Sequence, residues 1–358
     1  MNTQTPEVPP AMPERADDMR LTAALDLSRN EVCAALVNQR ARIVARSVAP
    51  LPAKGGRAVV ERVIKSLIEI AAAPERGALE LDAVGICVPG HMDRESGRVF
   101  AAVLGWDRLA LVEQIERGLV DSGVDIRRGA TARRARADNK SAVYPVFHIL
   151  SESVAGALAE TWLGAAENKQ NVVFVHLGQR LGAGIIADGQ VLQGAGGLAG
   201  SMAWFAMREE FLAEYANRGC LETEIAAQSL VRRTIETWSG TINTPFGQLV
   251  SETPGQLTPD AVIRAARAGD ALATQVIGDV CSLLGRGLAN LISSFNPETL
   301  VVGGELGVLL RPWLGEIRRE ARRWAHPRAG RQCRILSGTL GRDTVLLGAA
   351  RYASLRCA

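Results

Sequence analysis

Apolar and polar positions along the chain alternate between two-residue and helical periods, which predicts a mixed α/β protein. Leu21-Thr-Ala-Ala-Leu-Asp-Leu27, a polar break at Ser28-Arg29-Asn30 and Glu31-Val-Cys-Ala-Ala-Leu-Val37 read as strand, turn and strand. Ala41-Arg-Ile-Val-Ala-Arg46 follows as a third strand. Between Arg57 and Ala73, the apolar residues Val60, Val63, Ile64, Leu67 and Ile70 recur at the spacing of one buried helix face. Ala83-Val-Gly-Ile-Cys-Val88 is a buried strand running into Pro89-Gly90.

The second half has the same character. Ser151 to Trp162 is rich in good helix formers, with Ser151 or Ser153 as its cap. Asn171 to Ile186 reads as an apolar strand, a turn holding Gly178, Gly182 and Gly184, and a second apolar strand. Glycine lets backbone come close to a ligand, so this hairpin is a candidate phosphate cradle. Further helices are expected over Glu222 to Trp238, from Asp260 behind a Thr258 cap and Pro259, and over Ala271 to Leu291. A buried strand then ends in the pair Gly303-Gly304, which fits either a ligand contact or simple turn geometry.

Composition narrows the class. A chain of 358 residues, 47% hydrophobic with net charge +3, suits a globular protein of two sizeable cores and points to no particular charged partner. Cys33, Cys87, Cys220, Cys281, Cys333 and Cys357 have no C-x-x-C spacing and read as reduced thiols of a cytoplasmic protein. No apolar run reaches the roughly 18 residues of a membrane helix, and the start lacks a signal-peptide layout. Met1 to Arg20, with Pro6, Pro9, Pro10 and Pro13, is expected to be a disordered leader.

Four blocks in fixed order resemble the ROK family of bacterial sugar kinases and related transcriptional repressors. Leu150-Ser-Glu-Ser-Val-Ala-Gly-Ala-Leu-Ala-Glu160 is similar to the family's E-N-D-A-x-A-A-A-L-A-E, and Gly178-Gln-Arg-Leu-Gly-Ala-Gly-Ile185 to G-T-G-I-G-A-G-I. Gly194 to Trp204 lines up with G-x-G-G-x-A-G-E-I-G-H, and Ala213 to Glu222 with C-x-C-G-x-x-G-C-L-E. Asn296-Pro-Glu-Thr-Leu-Val-Val-Gly-Gly304 resembles N-P-E-x-I-V-x-G-G, and Pro89-Gly90 with Asp93 resembles V-P-G-x-x-D. The likeness extends over about residues 21 to 356. It implies an actin-like ATPase (ribonuclease H-like) fold and a homodimer. The implied smaller α/β domain is 21–146 plus 344–358, and the larger is 147–343.

The resemblance also implies roles, several of which this chain alters. The catalytic aspartate position holds Glu152, the neighbouring sugar-binding asparagine is Ser151, and the glutamate and histidine of the sugar shell are Ser201 and Trp204. Gly90, in the turn similar to V-P-G-x-x-D, and Glu222 are further positions matching the family's substrate site. Of the zinc cysteines only Cys220 remains, Ala213 and Tyr215 standing at the other two positions. About four N or S ligands make a structural zinc, so none is expected. In the opening D-x-G-G-T turn Asp26 is kept, with Ser28, Arg29 and Asn30 after it. Arg29 either contacts an anion or fills the space of a phosphate. Asp26, Gly178, Gly182, Gly184, Gly303 and Gly304 are the positions matching the family's nucleotide site.

The remaining chemistry is sparse. Six bases fall between Arg127 and Lys140 without interleaved aromatics, which fits a solvated loop better than a nucleic-acid surface. Repressors of this family carry a helix-turn-helix domain ahead of the core, and twenty proline-broken residues are too few for one. No specific DNA binding and no membrane contact are therefore expected. His91, His148, His176 and His326 have no paired metal spacing, and each reads as structural. Two function classes remain. One is a non-catalytic pseudokinase or regulatory protein sensing a sugar or sugar phosphate. The other is an ATP- and magnesium-dependent hexose kinase with Glu152 as base.

Overall fold

The computed structural model describes residues 21–27, 30–52, 55–71, 79–122, 126–128, 146–238, 240 and 244–356. The expected leader, Ser28 and Arg29, and the basic stretch beyond Arg128 lie outside the described residues.

The opening apolar runs form β1 (Leu21–Asp26), β2 (Glu31–Asn38) and β3 (Ile43–Pro50), an antiparallel meander. Strand β4 (Leu79–Val88) joins β1 in parallel after the amphipathic helix α1 (Arg57–Ala71). Strands β5 (His91–Met92), β6 (Val99–Ala101) and β7 (Trp106–Leu109) make a small sheet beside it. Trp106 is buried there and its indole donates to the Gly56 carbonyl at 3.0 Å, so the Gly105-Trp106 pair is held by packing. Helix α2 (Leu111–Ser122), β8 (Ile126–Arg128) and β9 (Val146–Ser151) complete the first unit. Its main sheet runs β3-β2-β1-β4-β8, with β9 also paired to β4. The sequence-based division at residue 146 therefore cuts in front of a strand that belongs to the first sheet.

Helix α3 (Glu152–Leu163) follows directly, capped by Ser151, whose hydroxyl accepts from the Val154 amide. The second sheet runs β12-β11-β10-β13-β14, from β10 (Val172–Leu177), β11 (Leu181–Ala187), β12 (Gln190–Val191), β13 (Thr299–Gly303) and β14 (Arg334–Ser337). Here the expected glycine turn is shorter than its spacing suggested: Gly182 and Gly184 lie inside β11, opposite His176 and Phe174, and only Gly178 to Arg180 turn.

Helices α4 (Cys220–Ile225), α5 (Ala227–Thr237), α6 (Pro259–Arg267) and α7 (Ala271–Phe295) cover one face of this sheet. The expected single helix after Glu222 is thus two, broken at Ala226, which is extended. Thr258 caps α6 as its sequence predicts. By length and hydropathy α7 could cross a membrane, contrary to the expectation that no apolar run is long enough. Its apolar side chains pack inside the second core. Short α8 (Gly304–Leu309) and α9 (Leu314–Trp324) precede α10 (Thr344–Leu355).

Helices α3 and α10 form the layer between the two sheets, with a third core of mostly small residues around them. Three glycines permit that layer. A Cβ on Gly184 of β11 would overlap the Ser153 backbone of α3, one on Gly348 of α10 would overlap the Ala155 backbone of α3, and one on Gly85 of β4 would overlap Ala349 of α10. Backbone thus meets backbone from one sheet to the other. Glu160, fully buried on α3, ties the same layer to the loop before α10, accepting from the amides of Ala165 at 2.7 Å and Thr339 at 2.9 Å.

Candidate functional site

Glu152 is the first residue of α3, placed there because Ser151 caps the helix and β9 ends one residue earlier. Its carboxylate is 7% exposed, a large desolvation for an acid. Burial, then the charges of Asp26 and Glu305, with Arg180 opposing and Glu222 adding, push the Glu152 pKa well above the usual carboxylate range. The helix N-terminus favours the anion, an effect worth about 0.3–1 kcal/mol in exposed settings. Asp26 ends β1 and is 3% exposed, so the first sheet contributes to the same charged cluster. Cys87, its partner on β4, has its thiol raised by burial and then by Asp26, and stays neutral.

The sequence reading missed two members. His176 Nε2 lies 3.5 Å from Glu152 Oε2 and 3.9 Å from Glu305 Oε2. His176 sits between Gly182 on β11 and Gly303 on β13, both in register with it. Its neighbours on either side therefore have no side chain to compete for space.

The glycines matched to the family's nucleotide site leave little open space on their Cβ sides. Gly178 faces Glu305 and His176, Gly182 faces the Ser153 hydroxyl, and Gly184 faces the start of α3. Gly303 faces the Phe174 ring, and Gly304, at φ +81°, faces the Leu177 backbone. Gly90 is packed against the Phe100 carbonyl.

Arg180, in the turn after Gly178, is half-exposed and reaches Glu222 at 3.9 Å. Glu222 is 2% exposed and fully engaged: it accepts from the Leu181 amide at 2.8 Å and meets Arg218 at 3.4 Å. Ser201 turns its hydroxyl to the Leu198 carbonyl at 2.6 Å, and Trp204 is 53% exposed.

The block matched to the zinc site is organised differently. Cys220 sulfur accepts from the Met207 amide at 3.4 Å, and the Tyr215 hydroxyl donates to Glu224 at 2.7 Å. Glu224, 5% exposed, also accepts from Arg208 at 2.7 Å and Arg233 at 2.8 Å. These donors do not fit a four-coordinate zinc, and among the described residues no three His, Cys, Asp or Glu side chains converge as metal ligands.

Burial raises the Glu224 pKa, but the hydrogen bonds from Arg208 and Tyr215 and the charges of Arg208 and Arg233 outweigh it and hold it low. A depressed pKa contributes stability above the unfolded value, about 4.3, that is lost as pH falls through the lower folded value. Glu224→Gln should therefore lower the unfolding free energy by about 2 kcal/mol at neutral pH. In denaturant titrations the deficit should shrink on acidification. An equal deficit at every pH would mean the carboxylate charge contributes nothing.

The ROK family sequence model matches residues 137–355. Glucokinase of Halalkalibacterium halodurans is 27% identical over 299 residues, 82% of each chain. The Escherichia coli DNA-binding transcriptional repressor Mlc is 25% identical over 289 residues, covering 79% of this chain and 63% of its own. A solved ROK family glucokinase from Streptomyces griseus, in complex with glucose and AMPPNP, superposes with TM-score 0.74 at 23% identity, over 94% of this chain and 99% of its own. That likeness carries the fold, which is the two-domain actin-like ATPase (ribonuclease H-like) fold expected from the motifs. With the family's pattern matched over more than half of its length, the chain belongs to the ROK family.

Proposed function

We propose that this chain is a sugar-responsive ROK protein, a cytoplasmic homodimer that binds a small sugar or sugar phosphate in a cleft between its two domains without transferring a phosphoryl group. The observation behind this is Arg180. Phosphoryl transfer depends on positioning and charge stabilisation, and here a guanidinium occupies the glycine turn, within 3.9 Å of Glu222 and opposing the other charges on Glu152. The glycines around that turn are packed against the protein itself. Ser201 and Trp204 replace the polar pair of the sugar shell.

A hexose kinase using ATP and magnesium is the second reading, favoured by the position of Glu152 at the start of α3 with its pKa raised, which makes it a stronger base. The two readings separate in a coupled ADP-release assay with a panel of hexoses, where no turnover above background is expected. Clear turnover abolished by Glu152→Gln would restore the kinase. In a thermal-shift screen, hexoses, amino sugars or their phosphates should stabilise the fold, by about 2.7 kcal/mol at a hundredfold excess over Kd. Chelator should leave the melting transition unchanged, since the residues at the zinc block do not suit the metal. DNA binding by this chain alone should be weak and salt-sensitive.

A further inference from the structure

Neither function reading uses His176, yet its ring lies beside Glu152. The ring is 6% exposed, its Nε2 3.5 Å from Glu152 and 3.9 Å from Glu305, whose side chain is nearly half exposed. A buried histidine held between two glycines and aimed at two carboxylates from different helices has a defined job in charge balance.

We propose that His176 and Glu152 share one proton, which rests on His176, so that Glu152 is held as a carboxylate facing the cleft, with Glu305 as the route by which the proton exchanges with solvent. Imidazole is a stronger base than a glutamate by about two pH units in water. Burial penalises an isolated charge on either group, and a contact pair of opposite charges offsets that penalty. The other groups around the pair come from β1, β4, α4, α8 and the β10–β11 turn. Asp26 of β1, Glu305 of α8 and Glu222 of α4 disfavour the Glu152 carboxylate and Arg180 of the β10–β11 turn favours it, while Glu305 also faces the ring and favours the imidazolium. Cys87 of β4 is neutral. The acids that disfavour the carboxylate also favour the imidazolium, so their effects on the transfer oppose one another and the greater basicity of imidazole decides where the proton rests. A ligand hydroxyl entering the cleft then meets a hydrogen-bond acceptor at Glu152 rather than a protonated acid. The inference concerns the ligand-free protein and stands whether or not a sugar binds.

Histidine-selective ¹⁵N NMR of the ligand-free protein tests it, with His176→Gln identifying the signal. At pH 7 the His176 nitrogens should have imidazolium shifts. Glu152→Gln should lower the proton affinity of the ring at least tenfold, moving its titration down by one pH unit or more. Glu305→Gln, altered on the half-exposed side, should produce a smaller drop, and Glu152→Asp, which keeps the charge, should retain the imidazolium. A neutral ring in the unaltered protein at pH 7, or a titration unmoved by both glutamine variants, would overturn the proposal. Because no ligand is present, failure of the sugar reading leaves this test intact.

Discussion

Glu160→Ala is expected to lower the unfolding free energy by about 4 kcal/mol, since charge-assisted hydrogen bonds are worth roughly 1.5–3 kcal/mol each and buried donors left without partners cost more. Glu160 is fully buried and accepts from the Ala165 amide, the Thr339 amide and, at 3.2 Å, the Thr339 hydroxyl. One side chain thus satisfies the turn after α3 and the loop leading into α10. Truncation removes the acceptor and leaves a cavity at the point where these segments meet. Glu160→Gln keeps the volume but offers one accepting oxygen, and about half the loss is expected. Denaturant titration at constant m-value is the measurement. Equal stability of the alanine and glutamine variants would show that packing alone, and not the carboxylate, fixes this junction.

Gly348→Ala should cost about 3 kcal/mol, the upper end of ordinary overpacking. The sign is informative, because replacing a helical glycine by alanine stabilises an unobstructed helix by roughly 0.5–1 kcal/mol. At Gly348 the new methyl would overlap the Ala155 backbone, which has no rotamer to change, so α10 must move off α3. Gly278, inside α7 with nothing among the described residues within 4 Å of its Cβ position, is the control and should give the ordinary gain when changed to alanine. If both substitutions stabilised the protein equally, α3 and α10 would not be in backbone contact.

The fold was legible in the sequence because its signals are local. The apolar face from Val60 to Ile70, the Thr258-Pro259 start of α6 and the Ser151 cap of α3 each depend on neighbours a few residues away. That β9 joins the first sheet was not legible, because it rests on pairing with β4, some sixty positions earlier. The glycines of the 178–184 segment carried the right family signal but suggested an open turn. Only the docking of α3 on β11 explains why Gly184 lacks a side chain. Glu152 and Asp26 could be found from motifs. His176 could not, since a single histidine in Val-Val-Phe-Val-His-Leu looks like a core residue until strand register sets Gly182 and Gly303 beside it.

The Glu224 network has a consequence for the conditions under which the loop before α4 is ordered. Coordination to a metal is indifferent to moderate salt and answers to metal supply. A carboxylate held by Arg208, Arg233 and Tyr215 answers instead to ionic strength. At about 0.15 M salt exposed charges are screened beyond roughly 8 Å and buried pairs much less. The outer contacts, Arg232 with Glu214 and Glu236, therefore weaken first, while the buried contacts of Glu224 persist. Rising ionic strength would loosen this segment from its rim inward, giving it a graded response where a metal-clamped loop would have an all-or-none one.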